Sequence, residues 1–167
     1  PIAVQPPYSA VTRGIETEVI PCADAYGMGV VCYSPLSRGV LTGKYSGGVA
    51  PEPGSRASRN DQRLMQTEFR PESFEIAARF AARAEATGRS ATEFAIGWVL
   101  ANALVSGVIA GPRTLEQWQG YIRALDQSFT SEDEALVDAH VAAGYASTHG
   151  YTDPQYPVTG RLFRARG

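Results

Sequence analysis

Three short apolar runs alternate with helical patterns along this chain, and that order predicts an α/β fold with parallel strands joined by right-handed crossovers. The runs are Ile2–Gln5, Gly29–Ser34 and Val105–Gly111. The middle one, GVVCYS, is β-branched and lacks polar alternation, the pattern of a parallel strand buried on both faces. With 167 residues, 44% hydrophobic and 19% charged, the chain has the length and composition of one domain with a sizeable core.

Pro6-Pro7 stops the first run. Ile15 to Gly27 then reads as one helix ending at its glycine. Beyond the second run, residues 37–70 show no periodicity and many Gly, Pro, Ser and Arg, which predicts a long loop. Pro71 opens a helix at its favoured first position, with a stripe at Phe74, Ala77, Ala81 and Ala84 and an end at Gly88. Ser90 with Glu93 forms a capping box for the next helix, whose stripe is Phe94, Ala95, Trp98 and Val99. After the third run, Thr114 with Gln117 and Ser131 with Glu134 cap two further helices. The segment 144–167 lacks periodicity and reads as an irregular tail packed through its tyrosines. Three strands make an incomplete sheet that cannot close and leaves two parallel edges unpaired.

Composition narrows the function. A net charge of −2 and a pI of about 5.7 speak against a nucleic-acid or membrane-surface binder. No apolar run approaches a membrane span, and no charged-then-apolar leader opens the sequence. The chain opens on Pro1, as after removal of Met or as a piece of a longer chain. The cysteines, Cys22 and Cys32, match neither a CxxC nor a zinc pattern, so no metal is expected and a reducing, cytoplasmic compartment is the default.

Ligands of parallel α/β folds collect at the carboxyl ends of strands. The three runs end in Gln5, in Tyr33-Ser34 and in Gly111-Pro112-Arg113. Gln5 either pairs with a planar amide ligand or bonds a neighbouring loop. Tyr33 either stacks on a ring or closes the rim of the core. Gly111 to Gln117 is a strand-turn-helix junction where free N–H groups and Arg113 suit an anion, or where Arg113 is simply solvated. Between Ser37 and Arg63 lie Arg38, Lys44, Arg56, Arg59 and Arg63 against Glu52 and Asp61, a net +3 in an acidic chain. Such a loop suits a polyanion such as a pyrophosphate, with Gly39 and Gly43 allowing close backbone approach, unless its charge serves only solubility. Together these features suggest a nicotinamide dinucleotide carrying a 2′-phosphate.

The motifs QPPYS (Gln5–Ser9), GVVCYSPLSRGVLTGKY (Gly29–Tyr45), GSRAS (Gly54–Ser58) and VIAGPRTLEQW (Val108–Trp118), in this order, resemble the C-terminal half of the aldo-keto reductases. The likeness is to the bacterial branch that also resembles potassium channel β subunits. It implies a single partial domain over 1–167, the C-terminal part of a (β/α)8 TIM barrel supplying its sixth to eighth strands, with 37–70 as a cofactor-clasp loop. It implies an enzyme transferring hydride between NADP(H) and an aldehyde or ketone, or alternatively a non-catalytic NADP(H)-sensing subunit. By this resemblance Gln5 bonds the nicotinamide carboxamide and Tyr33 stacks on the nicotinamide. Ser34, Pro35, Leu36, Ser37, Arg38 and Gly39 line the pyrophosphate, and Lys44 and Arg56 clasp it and the adenosine phosphate. Gly111, Arg113 and Gln117 meet the 2′-phosphate and ribose. Relatives usually carry Glu-Asn where this chain has Gly120-Tyr121, which leaves Tyr121 to stack on adenine.

The family's catalytic Asp, Tyr, Lys and His sit on earlier strands, and no part of this chain matches them. No catalytic residue is therefore assigned, and His140 and His149 are not promoted to that role. The partners implied are a small carbonyl substrate and the N-terminal barrel half, on the same gene product or a second chain, with a homo-oligomer as a further possibility and neither nucleic acid nor membrane.

Overall fold

The computed structural model describes residues 1–45 and 50–158. Residues 46–49 of the expected loop and 159–167 of the expected tail lie outside the described residues.

A parallel sheet runs in the order β1 (Ala3–Val4), β2 (Gly29–Tyr33), β3 (Gly107–Ile109). Val4 stands opposite Val30, Cys32 opposite Val108, and Tyr33 opposite Ile109. Every expected strand is present but shorter than its apolar run. Pro6-Pro7 ends β1, leaving one isolated bridge from Pro7 to Tyr33, and Val105 is held in a turn by the carbonyl of Asn102 before β3 begins. The expectation that β2 is buried on both faces is corrected: Val30 and Cys32 are buried, while Gly29, Val31 and Tyr33 on the other face are half-buried. Burial pushes the Cys32 thiol up to about 11, whereas Cys22 is exposed.

The expected helix from Ile15 to Gly27 is two pieces, a 3-10 turn (Gly14–Glu16) and α1 (Val19–Ala25). Pro21 explains the break: it lacks an N–H, and its ring excludes the carbonyl four residues back, at Thr17. The long loop is also corrected. It contains 3-10 turns over Ser37–Thr42, kinked at Arg38 and Gly39, and a short helix α2 (Gln62–Thr67). The Asp61 carboxylate caps α2 by accepting from Leu64 N at 2.9 Å, and Leu64 is fully buried beneath it.

α3 (Pro71–Ala86) starts on its proline, and Gly88 just past its end has φ +73°, a left-handed position that favours glycine. Its buried face runs through Ser73, Ile76, Ala77, Phe80 and Ala84, while the expected Phe74 and Ala81 are half-buried flanks. α4 (Ala91–Ala101) has the expected capping box: the Ser90 hydroxyl accepts from Glu93 N at 3.2 Å, and the Glu93 carboxylate accepts from Ser90 N at 2.7 Å. Glu93 to Val99 are all buried, so α4 is the central helix, and Phe94, Trp98 and Val99 join Val30 and Cys32 in the core.

α5 (Leu115–Arg123) is capped by Thr114, whose hydroxyl accepts from Gln117 N at 3.2 Å. Its Leu115, Trp118 and Ile122, with Leu125 in the following 3-10 turn, are exposed. The last helix, α6 (Ser131–His140), is capped one residue earlier than expected, by Thr130 with Asp133 rather than Ser131 with Glu134. Asp133 is fully buried and gripped by Arg83 Nε at 2.7 Å and Arg89 Nη2 at 2.8 Å, which fixes the register. In the tail only Tyr151 packs as expected. Its ring lies 3.9 Å from the Arg70 guanidinium, whereas Tyr145 and Tyr156 are exposed.

Candidate functional site

The carboxyl ends of β2 and β3, the turns after β2 and the start of α5 enclose one cleft of about 730 Å³. Tyr33 and Ile109, paired across the two strands, both line it. Of the residues assigned to the cofactor from the sequence, all but Gln5 and Ser37 line this cleft, whereas Gly43, Arg59 and Arg63 of the cationic loop do not, and Arg63 pairs with Asp153 at 2.6 Å instead. Four segments distant in sequence thus converge: the turn from Tyr33 to Lys44, Arg56, the start of α4 at Ser90 and Thr92, and the stretch from Ile109 to Arg123. Gln5 is exposed beyond the end of β1 and does not line the cleft. Ser37 is fully buried, its hydroxyl 2.7 Å from that of Ser9, so it ties the turn to the loop after β1.

The turn after β2 passes repeatedly through left-handed backbone: φ is 58° at Ser34, 46° at Ser37, 54° at Arg38 and 99° at Gly39. The amides of Ser37 and Gly39 donate inside the turn, to the Ser34 carbonyl at 2.9 Å and the Leu36 carbonyl at 2.8 Å, and these bonds hold its shape. At Gly39 a Cβ would sit 2.8 Å from both Cε and Nζ of Lys44, so the absent side chain lets the ammonium lie against the turn.

The charge of the cleft is one-sided. Arg38, Lys44, Arg56, Arg113 and Arg123 line it against one carboxylate, Glu116. Arg56 is paired with Asp61 at 3.2 Å and Arg123 with Glu93 at 2.7 Å. Among the described residues Arg38, Lys44 and Arg113 make no ion pair, so their charge is available to a ligand. Arg113 Nη1 reaches toward the Gly54 carbonyl at 3.5 Å, which brings the strand-turn-helix junction to the opposite loop. Gln117 folds back onto Arg113 N at 2.8 Å and holds the junction in shape. Tyr121 is half-buried at the rim, and burial pushes its phenol pKa up. The lining fits a dinucleotide with an extra phosphate: cations without an ion pair among the described residues, an aromatic at the strand end and a second aromatic on α5.

The sequence reading missed Ser90, Thr92, Glu116 and Arg123, which also line the cleft. Ser90 was visible only as a helix cap, and packing of α4 beside β3 brings that cap to the site. Among the described residues no cluster of His, Cys, Asp and Glu could hold a metal ion, and no helix is long and apolar enough to cross a membrane.

Comparison with known proteins gives a consistent answer. The family model described as the aldo/keto reductase family matches residues 1–142. The chain is 32% identical over 131 residues to the uncharacterized oxidoreductase YrpG of Bacillus subtilis, covering 78% of this chain and 37% of that protein. It is 33% identical over 127 residues to a probable voltage-gated potassium channel subunit beta of Arabidopsis thaliana, covering 75% and 39%. Among solved structures, the glycerol dehydrogenase AKR11B4 from Gluconobacter oxydans aligns with a TM-score of 0.68 at 26% identity, over 97% of this chain and 46% of that one. The chain thus spans less than half the length of these relatives. The chain belongs to the aldo/keto reductase family.

Proposed function

We propose that the cleft binds NADP(H), and that the chain is the cofactor-binding, C-terminal part of a (β/α)8 barrel that moves hydride between NADP(H) and an aldehyde or ketone. The carrying observation is the convergence on one cleft of Tyr33, the left-handed turn through Gly39 and three cations without an ion pair among the described residues. In this reading Tyr33 offers its ring to the nicotinamide, and Gln5, which lies outside the cleft, takes no part in holding it. The turn 34–39 with Lys44 and Arg56 holds the pyrophosphate. Arg113, with Gly111 and Gln117, takes the 2′-phosphate and ribose, and Tyr121 meets the adenine. The bound nucleotide supplies the hydride. In this reading the proton for the carbonyl comes from the earlier strands of the barrel, since no part of this chain resembles the family's proton-donating residues.

The test is titration of the chain with NADPH and NADH, read by calorimetry. NADPH is expected to bind more tightly than NADH, and Arg113→Ala to weaken NADPH while leaving NADH nearly unchanged. A folded chain that binds neither nucleotide refutes the assignment. A second reading, a non-catalytic NADP(H)-sensing subunit, is favoured by the potassium channel β subunits among the relatives. Single-turnover reduction of a carbonyl by the NADPH-loaded assembly separates the two: hydride transfer supports the enzyme, and tight binding without transfer supports the sensor.

A further inference from the structure

The family match stops at residue 142, yet the chain continues in an ordered course across the molecule. Tyr145 accepts a backbone hydrogen bond from Arg13 N at 2.8 Å, and Ser147 N donates to the Val11 carbonyl at 2.9 Å. From there the segment crosses to α3 and α2. The Ser147 hydroxyl lies 2.8 Å from that of Ser73 and accepts from Arg70 Nη2 at 3.1 Å. The Tyr151 ring stacks on the Arg70 guanidinium, and its hydroxyl donates to the Gln66 carbonyl at 3.2 Å. Asp153 accepts from both terminal nitrogens of Arg63, at 3.0 and 2.6 Å. Residues 145–153 therefore form a strap whose far end is fastened to α2.

α2 needs such fastening. It has six residues, too few to persist as a helix without tertiary contacts. One of its side chains reaches the cleft region. The Thr67 hydroxyl accepts from Arg38 Nε at 3.3 Å and donates to the Arg63 carbonyl. Arg38 is one of the unpaired cations of the cleft, and it sits in left-handed backbone that an arginine adopts only at a cost of about 1–2 kcal/mol. Such a conformation persists where neighbours over-determine it. The described hydrogen bonds give the Arg38 guanidinium one side-chain partner, Thr67. The bonds form an unbroken series: Asp153 to Arg63, Arg63 through its own carbonyl to Thr67, and Thr67 to Arg38.

We propose that Asp153 and Thr67 are positioning residues for the cleft: the strap beyond the family match fixes α2, and α2 presents Arg38 to the phosphates of the nucleotide. The role of Arg38 toward the nucleotide rests on the function proposed above. The link from strap to turn does not.

The test uses Asp153→Asn, Thr67→Val and Arg38→Met, singly and as the two pairs with Arg38→Met. Hydrogen exchange on the nucleotide-free chain reads the link alone. Asp153→Asn and Thr67→Val should speed exchange of the amides in 37–43 while leaving those of α4 unchanged. Unchanged exchange in 37–43, or equal acceleration in α4, overturns the link whatever the nucleotide does. NADPH titration reads the consequence. Each single variant should weaken binding roughly fivefold, as expected when the competent arrangement is only partly populated. In the Arg38→Met background neither substitution should weaken it further. Full additivity with Arg38→Met overturns the assignment to Arg38. Thr67→Val leaves the ion pair intact, so it decides the matter if Asp153→Asn folds poorly. A parent chain that binds no NADPH refutes the function proposed above, and the exchange experiment still decides the link.

Discussion

Replacing Gly39 by alanine tests the turn after β2 through two separable effects. The first is backbone strain. With φ at +99°, an L-residue meets steric conflict worth about 1–2 kcal/mol. For a chain of this length, each kcal/mol lowers Tm by about 2–4 °C, so thermal unfolding should shift down by roughly 2–8 °C. The second effect is displacement. The new Cβ would lie 2.8 Å from Lys44 Cε and Nζ, and ordinary contact needs about 3.5 Å or more. Lys44 is an exposed, flexible side chain, so it yields cheaply, but its ammonium leaves the turn. If that ammonium supplies one charge-assisted contact to a phosphate, its loss is worth about 1.5 kcal/mol, or roughly tenfold in NADPH affinity. The assay is a scan of thermal unfolding with parallel NADPH titration of Gly39→Ala, Lys44→Ala and the double variant. The double variant should keep the Tm shift of Gly39→Ala and lose no more affinity than Lys44→Ala alone. A Gly39→Ala chain with parental Tm and parental affinity would refute both steps of the reasoning.

Other substitutions have equally definite outcomes. Asp133→Asn removes the shared carboxylate of Arg83 and Arg89 in a fully buried site and should cost about 3–5 kcal/mol in urea unfolding. Burial alone would raise the Asp133 pKa, but Arg83, the Thr130 amide and Arg89 outweigh it and hold it below the usual carboxylate range. Its contribution is therefore full above the unfolded value, near pH 4, and is lost as pH falls through the lower folded value, a loss the Asn variant should not show. Glu68 is the opposite case: burial raises its pKa, Arg70 and Arg38 offset only part, and its hydrogen bond from Thr12 is long at 3.5 Å. Stability should fall as pH rises from the unfolded toward the folded value, and Glu68→Gln should be as stable as the parent at pH 7, or more stable by about 1 kcal/mol, when compared by denaturant midpoint. Tyr33→Leu should weaken NADPH binding roughly three- to tenfold with little change in Tm, since it removes a stacking face from a half-buried rim position.

Much of the fold is local and was legible as such. Pro71, Gly88 and the Ser90–Glu93 pair mark helix ends through backbone chemistry that needs no tertiary partner. α2 was invisible because its helix depends on Asp61, Leu64 and the strap rather than on any repeat in its own six residues. The misplaced cap of α6 has a similar origin. Thr130–Asp133 and Ser131–Glu134 carry the same three-residue signature, and two arginines from elsewhere choose between them. In the cleft, the residues of the continuous block from Tyr33 to Lys44 could be read together because they share one turn. Arg123 and Thr92 could not, because packing of α4 and α5 alone brings them there. Ser37 shows the limit within the block itself. Its left-handed backbone aims the hydroxyl at Ser9, a direction that no residue type announces.

The two thiols give this chain a built-in clock. Cys22 is open to alkylating reagents, while Cys32 is sealed beside Tyr33 on β2, with its ionisation suppressed by burial. Cys22 therefore labels at once, and the slow second modification counts openings of the strand that carries the aromatic end of the cleft. Mass spectrometry on a quenched time course would measure that rate without any introduced reporter.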